Sequence, residues 1–147
     1  MGSPADQQWV VTGHDEIDRQ HTVLFGLVGR AREQIRASTR DGGVGYTGNK
    51  AQLRQLIGDF AKYAIEHFSY EEKLMEETSY PGVTSHRSSH RAIEFGISQA
   101  VEALDAGQDP LRLVEGLVDA WIRHHISRMD SDLARHLQNS GAPTLSM

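Results

Sequence analysis

Apolar residues recur at alternating steps of about three and four along four separate stretches of the chain, and no stretch alternates as a strand would. That period belongs to helices with one buried face, so the sequence reads as all-α. The first stretch runs from about Asp15 to Thr39, with Ile17, Leu24, Val28, Ala31 and Ile35 on its stripe. The second, from about Asn49 to Glu77, carries Leu53, Leu56, Phe60, Ala64 and Leu74, until Pro81 and Gly82 break the chain. The third, from about Thr84 to Ala106, shows Ile93, Ile97, Val101 and Leu104, and AGQDP ends it. Asp109 and Pro110 make a cap and first-turn pair for the fourth, which continues through Leu111, Val118, Ile122, Met129 and Leu133 toward Gly141. Short links between the second, third and fourth helices favour antiparallel neighbours. The expected fold is an up-and-down antiparallel four-helix bundle with an N-terminal arm. One domain spans residues 1–147, with an arm at 1–14, a glycine-rich loop at 40–49 and a tail at 139–147.

These stripes decide which polar side chains point inward. At about 100° per residue, His21 falls among Ile17, Leu24 and Val28. His67 and Glu71 continue the second stripe at i and i+4, and His86 and His90 lead into the third in the same way. His124 and His125 are adjacent; the fourth stripe centres roughly 50° from His125 but roughly 150° from His124. His125 therefore faces in and His124 faces solvent. Asp130 lies on the far flank of that stripe, so His125 and Asp130 straddle the seam. In an up-and-down bundle the start of the first helix, the end of the second, the start of the third and the later half of the fourth share one end. All seven side chains are expected in one layer there.

A lone inward histidine is ordinarily a hydrogen-bonded core residue. Burying seven polar groups together costs several kcal/mol each unless something satisfies them, and no inward Arg or Lys is placed to pair with the two carboxylates. Metal cations would satisfy all seven. With no cysteine in the chain, thiolate sites are excluded and His, Asp and Glu are the available strong ligands. Five imidazoles and two carboxylates exceed the four ligands of one zinc. They suit two ions held close, bridged by Glu71 and Asp130. Nitrogen and oxygen donors without sulfur fit iron or manganese, and ligand type alone also admits zinc and copper.

Composition narrows the partners. Fifteen Lys and Arg against twenty Asp and Glu give a net charge of −5 with no basic stripe, so no nucleic-acid partner is expected. No apolar run reaches the roughly 20 residues of a membrane span, and the N-terminus lacks the charged and apolar regions of a signal peptide. The expectation is a cytoplasmic protein with no membrane partner. No feature of the sequence points to a protein partner.

The segments DRQHTVLF, HFSYEEKLM, YPGVTSHRSSH and WIRHHISRMD resemble, in order and nearly in spacing, the signature segments of the bacterial hemerythrins, over a span from Trp9 to about Leu137. The resemblance implies two non-haem iron ions with an oxo or hydroxo bridge. It implies that His86, His90 and His125 hold one iron, that His21 and His67 hold the other, and that Glu71 and Asp130 bridge. It also implies that dioxygen binds at an open position on the second iron. The chain departs from the pattern in its longer glycine-rich loop and at Gly29, where related sequences often show Asn.

From this resemblance the expected function is reversible dioxygen binding, as a carrier, store or sensor domain. The alternative is a di-iron enzyme such as an oxidase, a peroxidase or a nitric oxide reductase. Ferritin-like oxidases draw on more carboxylates with Glu-x-x-His pairs, so an imidazole-rich set favours binding, and no catalytic residue is assigned. A dry lining would slow oxidation of the site, and Ile17, Leu24, Phe25 and Trp121 are its candidates. Four other polar residues are set aside: Glu72 as turned outward, His14 as part of the arm, His124 as surface and His136 as a helix-end cap. Trp9 is read as packing.

Overall fold

A computed structural model describes residues 11–39 and 50–140 of the chain. The expectations for most of the arm, for the glycine-rich loop, for most of the tail and for Trp9 lie outside the described residues. The side chains of residues 38, 39, 120 and 122–124 lie outside them too, so the readings of His124 and Ile122 do as well.

Four rods hold most of the described residues, with no strand among them. They are α1 (Asp15–Thr39), α2 (Lys50–Glu77), α3 (Val83–Asp105) and a composite fourth rod. The fourth comprises α4 (Pro110–Asp119), a π-helical stretch (Ala120–Asp130) and α5 (Ser131–Ser140) in unbroken succession. α1 packs on α2 and α4, α2 on α3, and α3 on α4 and the π-helical stretch, which closes the antiparallel bundle. Among the described residues no helix is long and apolar enough to cross a membrane.

The ends follow from local chemistry. Pro110 opens α4, and Asp109 Oδ1 accepts the Leu111 N–H at 3.1 Å. α3 ends at Asp105, and just beyond it Gly107 takes a φ of +87° that glycine adopts without strain, while Gln108 N–H bonds back to Ala103 at 3.0 Å. At the start of α1, Asp18 accepts from Thr12 N–H at 2.8 Å and from Gly13 N–H at 3.1 Å.

His14, expected as part of the arm, is buried, and its Nδ1 accepts the Ile17 N–H at 3.2 Å. An imidazole that accepts there must be neutral. Burial lowers its pKa, although Asp18 and Asp15 pull the other way. Replacing His14 with alanine is expected to cost about 1 kcal/mol, the usual scale of a lost cap. Below about pH 6.5 the unfolded His14 takes a proton that the folded one resists, so this increment is lost as pH falls. Urea denaturation at pH 7.5 and pH 5 tests both: the gap between wild type and variant should shrink at the lower pH.

The apolar side chains form two clusters on either side of the polar layer. The larger includes Leu24, Phe60, Phe68, Ile97, Trp121 and Ile126; the smaller holds Ile17, Tyr70, Leu74, Met75, Leu133 and Leu137. Each fully buried Leu, Ile or Phe contributes roughly 1.5–3 kcal/mol, so these clusters hold the rods together around whatever lies between.

Candidate metal centre

Between the clusters lie His21 of α1, His67 and Glu71 of α2, His86 and His90 of α3, and His125 and Asp130 of the π-helical stretch, each at most 1% exposed. One helical turn separates His67 from Glu71 and His86 from His90, so each pair stacks along the inner face of its rod. His125 and Asp130 are five residues apart, a separation that an α-helix would splay. A π-helix closes its hydrogen bonds at i+5 and brings such residues into line, and His125 Nε2 sits 3.0 Å from Asp130 Oδ1. The seam-straddling geometry expected from a regular helix is thereby replaced by direct alignment.

All five imidazoles present Nε2 to the centre. His21 Nε2 lies 3.2 Å from His67 Nε2 and 2.9 Å from Asp130 Oδ2. His86 Nε2 lies 3.2 Å from His125 Nε2 and 2.9 Å from Asp130 Oδ1. Glu71 Oε1 is 3.0 Å from His90 Nε2 and 3.5 Å from both His67 Nε2 and His86 Nε2. Glu71 Oε2 is buried without a hydrogen-bond partner.

Outer contacts fix which ring nitrogen carries the proton. Gln20 Nε2 donates to Glu16 Oε2 at 2.8 Å, so its Oε1 is the acceptor that faces His67 Nδ1 at 2.6 Å. His90 Nδ1 faces Glu72 Oε2 at 2.8 Å. Both histidines thus hold their proton on the outside and turn an Nε2 lone pair inward. At His90 that lone pair meets the Glu71 carboxylate, a contact that needs positive charge or a proton between them.

The electrostatics say the same. Burial, then the charge of Asp130, pushes the Glu71 carboxyl well above the usual carboxylate range. Burial opposes charge on His86, yet its bonds to Asp130 and Glu71 prevail and push its pKa up to about 10. Burial would also raise Asp130, but His125, His21 and His86 hold it well down. Burial and the neighbouring imidazoles keep His67 and His90 neutral. The upward shifts at Glu71 and His86 mark where the cluster calls for positive charge. No Lys or Arg is buried among the described residues to do that work. An orphaned carboxylate oxygen, inward lone pairs and two anions are a donor set that fits cations.

These donor atoms fall into two overlapping groups. One contains Glu71, His86, His90, His125 and Asp130; the other contains His21, His67, Glu71 and Asp130; within each, the atoms lie within 4.8 Å of one another.

Sequence reasoning missed the outer partners. Glu72, expected on a solvated face, is half-buried against His90, because the side of α2 that it occupies faces α3. Ser89 Oγ reaches His125 Nδ1 at 2.7 Å. Gln20, fully buried beside His21, gave no signal in the sequence. His136 does act at a helix end, with its Nε2 3.1 Å from the Thr78 carbonyl at the close of α2.

Of the four lining candidates, Leu24, Phe25 and Trp121 lie together in the larger cluster. Trp121 stacks on Phe25 with centroids 5.0 Å apart and meets the rings of His21 and Phe60 edge-on at 5.8 Å. Ile17 packs instead in the smaller cluster, beyond the polar layer.

A family model described as the hemerythrin HHE cation binding domain matches residues 12–137. The chain is 25% identical over 128 residues to a bacteriohemerythrin of Pseudomonas aeruginosa, covering 85% of this chain and 77% of that one. A bacteriohemerythrin of Clostridium acetobutylicum is 25% identical over 124 residues, 82% of this chain and 90% of its own. Myohemerythrin of Riftia pachyptila is 25% identical over 117 residues, 80% and 79% of the two chains. No solved structure matches significantly.

Proposed function

The chain belongs to the hemerythrin HHE cation-binding family, and from that premise we propose that it binds dioxygen reversibly at two non-haem iron ions joined by an oxo or hydroxo bridge. His86, His90 and His125 would hold one iron, His21 and His67 the other, with Glu71 and Asp130 bridging. The observation that carries this reading is the division of the donors into two groups that share both carboxylates. One group offers three imidazoles and the other two, which leaves the two-histidine side short of a ligand. Ferrous ions held there would supply the electrons that dioxygen takes on binding and returns on release.

The protein's own part is to shape that short side. Trp121 lies against His21 with Phe25 stacked on its far side, and with Leu24 and Phe60 they form the apolar cover of that side. Those four side chains carry no acid or base, which favours binding over chemistry on a larger substrate. Carrier, store and sensor roles all fit this centre.

The test is elemental analysis followed by absorption spectroscopy of the reduced protein. Two irons per chain are expected, with a visible charge-transfer band that appears under dioxygen and fades on its removal. A band that decays rapidly while reductant is consumed would favour the oxidase alternative, and a chain that takes up no iron would overturn both.

A further inference from the structure

Among the hydrogen bonds that lead outward from the polar layer, those of His90 and His67 differ in charge. His90 Nδ1–H donates to Glu72 Oε2 at 2.8 Å. Glu72 is gripped from outside by the Arg91 guanidinium and by Arg87 Nε at 3.5 Å. His67 Nδ1–H donates to the neutral Gln20 amide at 2.6 Å, and only beyond it does a carboxylate, Glu16, accept from Gln20 at 2.8 Å. His90 of the three-histidine group is thus backed directly by an anion. His67 of the two-histidine group has an amide interposed.

A carboxylate that accepts the outer N–H of a ligating imidazole draws that proton outward and strengthens the inner nitrogen as an electron donor; a neutral amide does so less. Phe68 stacks on the His90 ring with centroids 4.1 Å apart, which helps to hold the plane of the imidazole toward Glu72. We propose that Glu72 is a positioning residue that orients His90 and makes the three-histidine metal position the more electron-rich of the two, with Gln20 leaving the two-histidine position the poorer. This rests on the metal reading above. The position short of a ligand then keeps its electrons more firmly until a ligand arrives.

Glu72→Gln preserves length and an acceptor oxygen but removes the charge, whereas Arg91→Ala loosens the clasp between α2 and α3 without touching His90. With wild type at two irons per chain as reference, Glu72→Gln should keep its helical content by circular dichroism. It should bind ferrous iron about tenfold more weakly, the lower end of the usual loss for such a partner. Its reduction potential should move to higher values. Arg91→Ala should change neither quantity to that extent. If Glu72→Gln matches wild type in affinity and potential, or Arg91→Ala reproduces both changes, the inference is overturned while the iron centre stands. A wild-type chain that takes up no iron sinks this inference together with the reading beneath it.

Discussion

Replacing Asp130 with alanine is expected to empty both metal positions, not one. Its Oδ2 lies 2.9 Å from His21 Nε2 on one side, and its Oδ1 lies 2.9 Å from His86 and 3.0 Å from His125 on the other. The substitution removes an anion and a donor from each group at once. Outer partners of metal ligands cost about 10- to 100-fold in affinity when lost, so a shared donor should cost more than about 100-fold. Asp132→Ala is the matched control, since Asp132 is exposed and pairs with Arg135. Iron content after purification should fall below one ion per chain in Asp130→Ala and stay at two in Asp132→Ala. Retention of two ions by Asp130→Ala would remove the shared carboxylate from the reading. The metal-free form should suffer too, because His86 then keeps a buried positive charge without its main partner, and breaking such a pair costs roughly 3–5 kcal/mol.

The same residue marks where sequence reading succeeded and where it stopped. A 3.6-residue period was enough to place four rods and to turn His21, His67, Glu71, His86, His90 and His125 inward, because that period records which face each rod buries. It could not show that Ala120–Asp130 is π-helical, since that depends on how the fourth rod packs on α3 rather than on a local signal. Glu72 failed for a related reason. One helix's stripe marks the direction of the bundle axis and not the flank on which a neighbour lies, so a carboxylate facing α3 looked solvated. Gln20 and Ser89 are ordinary polar residues until the ring nitrogen beside each is known. His14 looked like arm because imidazole is an uncommon cap.

Stripping the metal should lower stability steeply and change the shape of its pH dependence. An ion at about 1,000 times its dissociation constant stabilises the folded state by about 4.1 kcal/mol, which for a chain of this size corresponds to roughly 10–15 °C in Tm per ion. In the metal-free chain two opposing trends then surface. Folded His67 and His90 resist protonation because of burial and neighbouring imidazoles. The unfolded chain therefore binds more protons below about pH 6.5, and stability falls as pH drops. Glu71, whose carboxyl is raised by burial and then by Asp130, partly offsets this on the acid side. On the alkaline side His86 dominates. Its folded pKa of about 10 contributes stability that is full below about pH 6.5 and is lost as pH climbs toward 10. Glu71 adds to that loss, since the unfolded carboxyl ionises freely while the buried one does not. Metal displaces both protons, so the loaded protein has no such alkaline decline. Thermal melts at pH 5, 6.5 and 9, with and without chelator, should give a metal-free curve peaked near pH 6.5 and a loaded curve that holds level from 6.5 to 9. A chelated protein that melts at the same temperature as the loaded one, or gains stability between pH 6.5 and 9, would mean that protons on His86 and Glu71 are not standing in for cations.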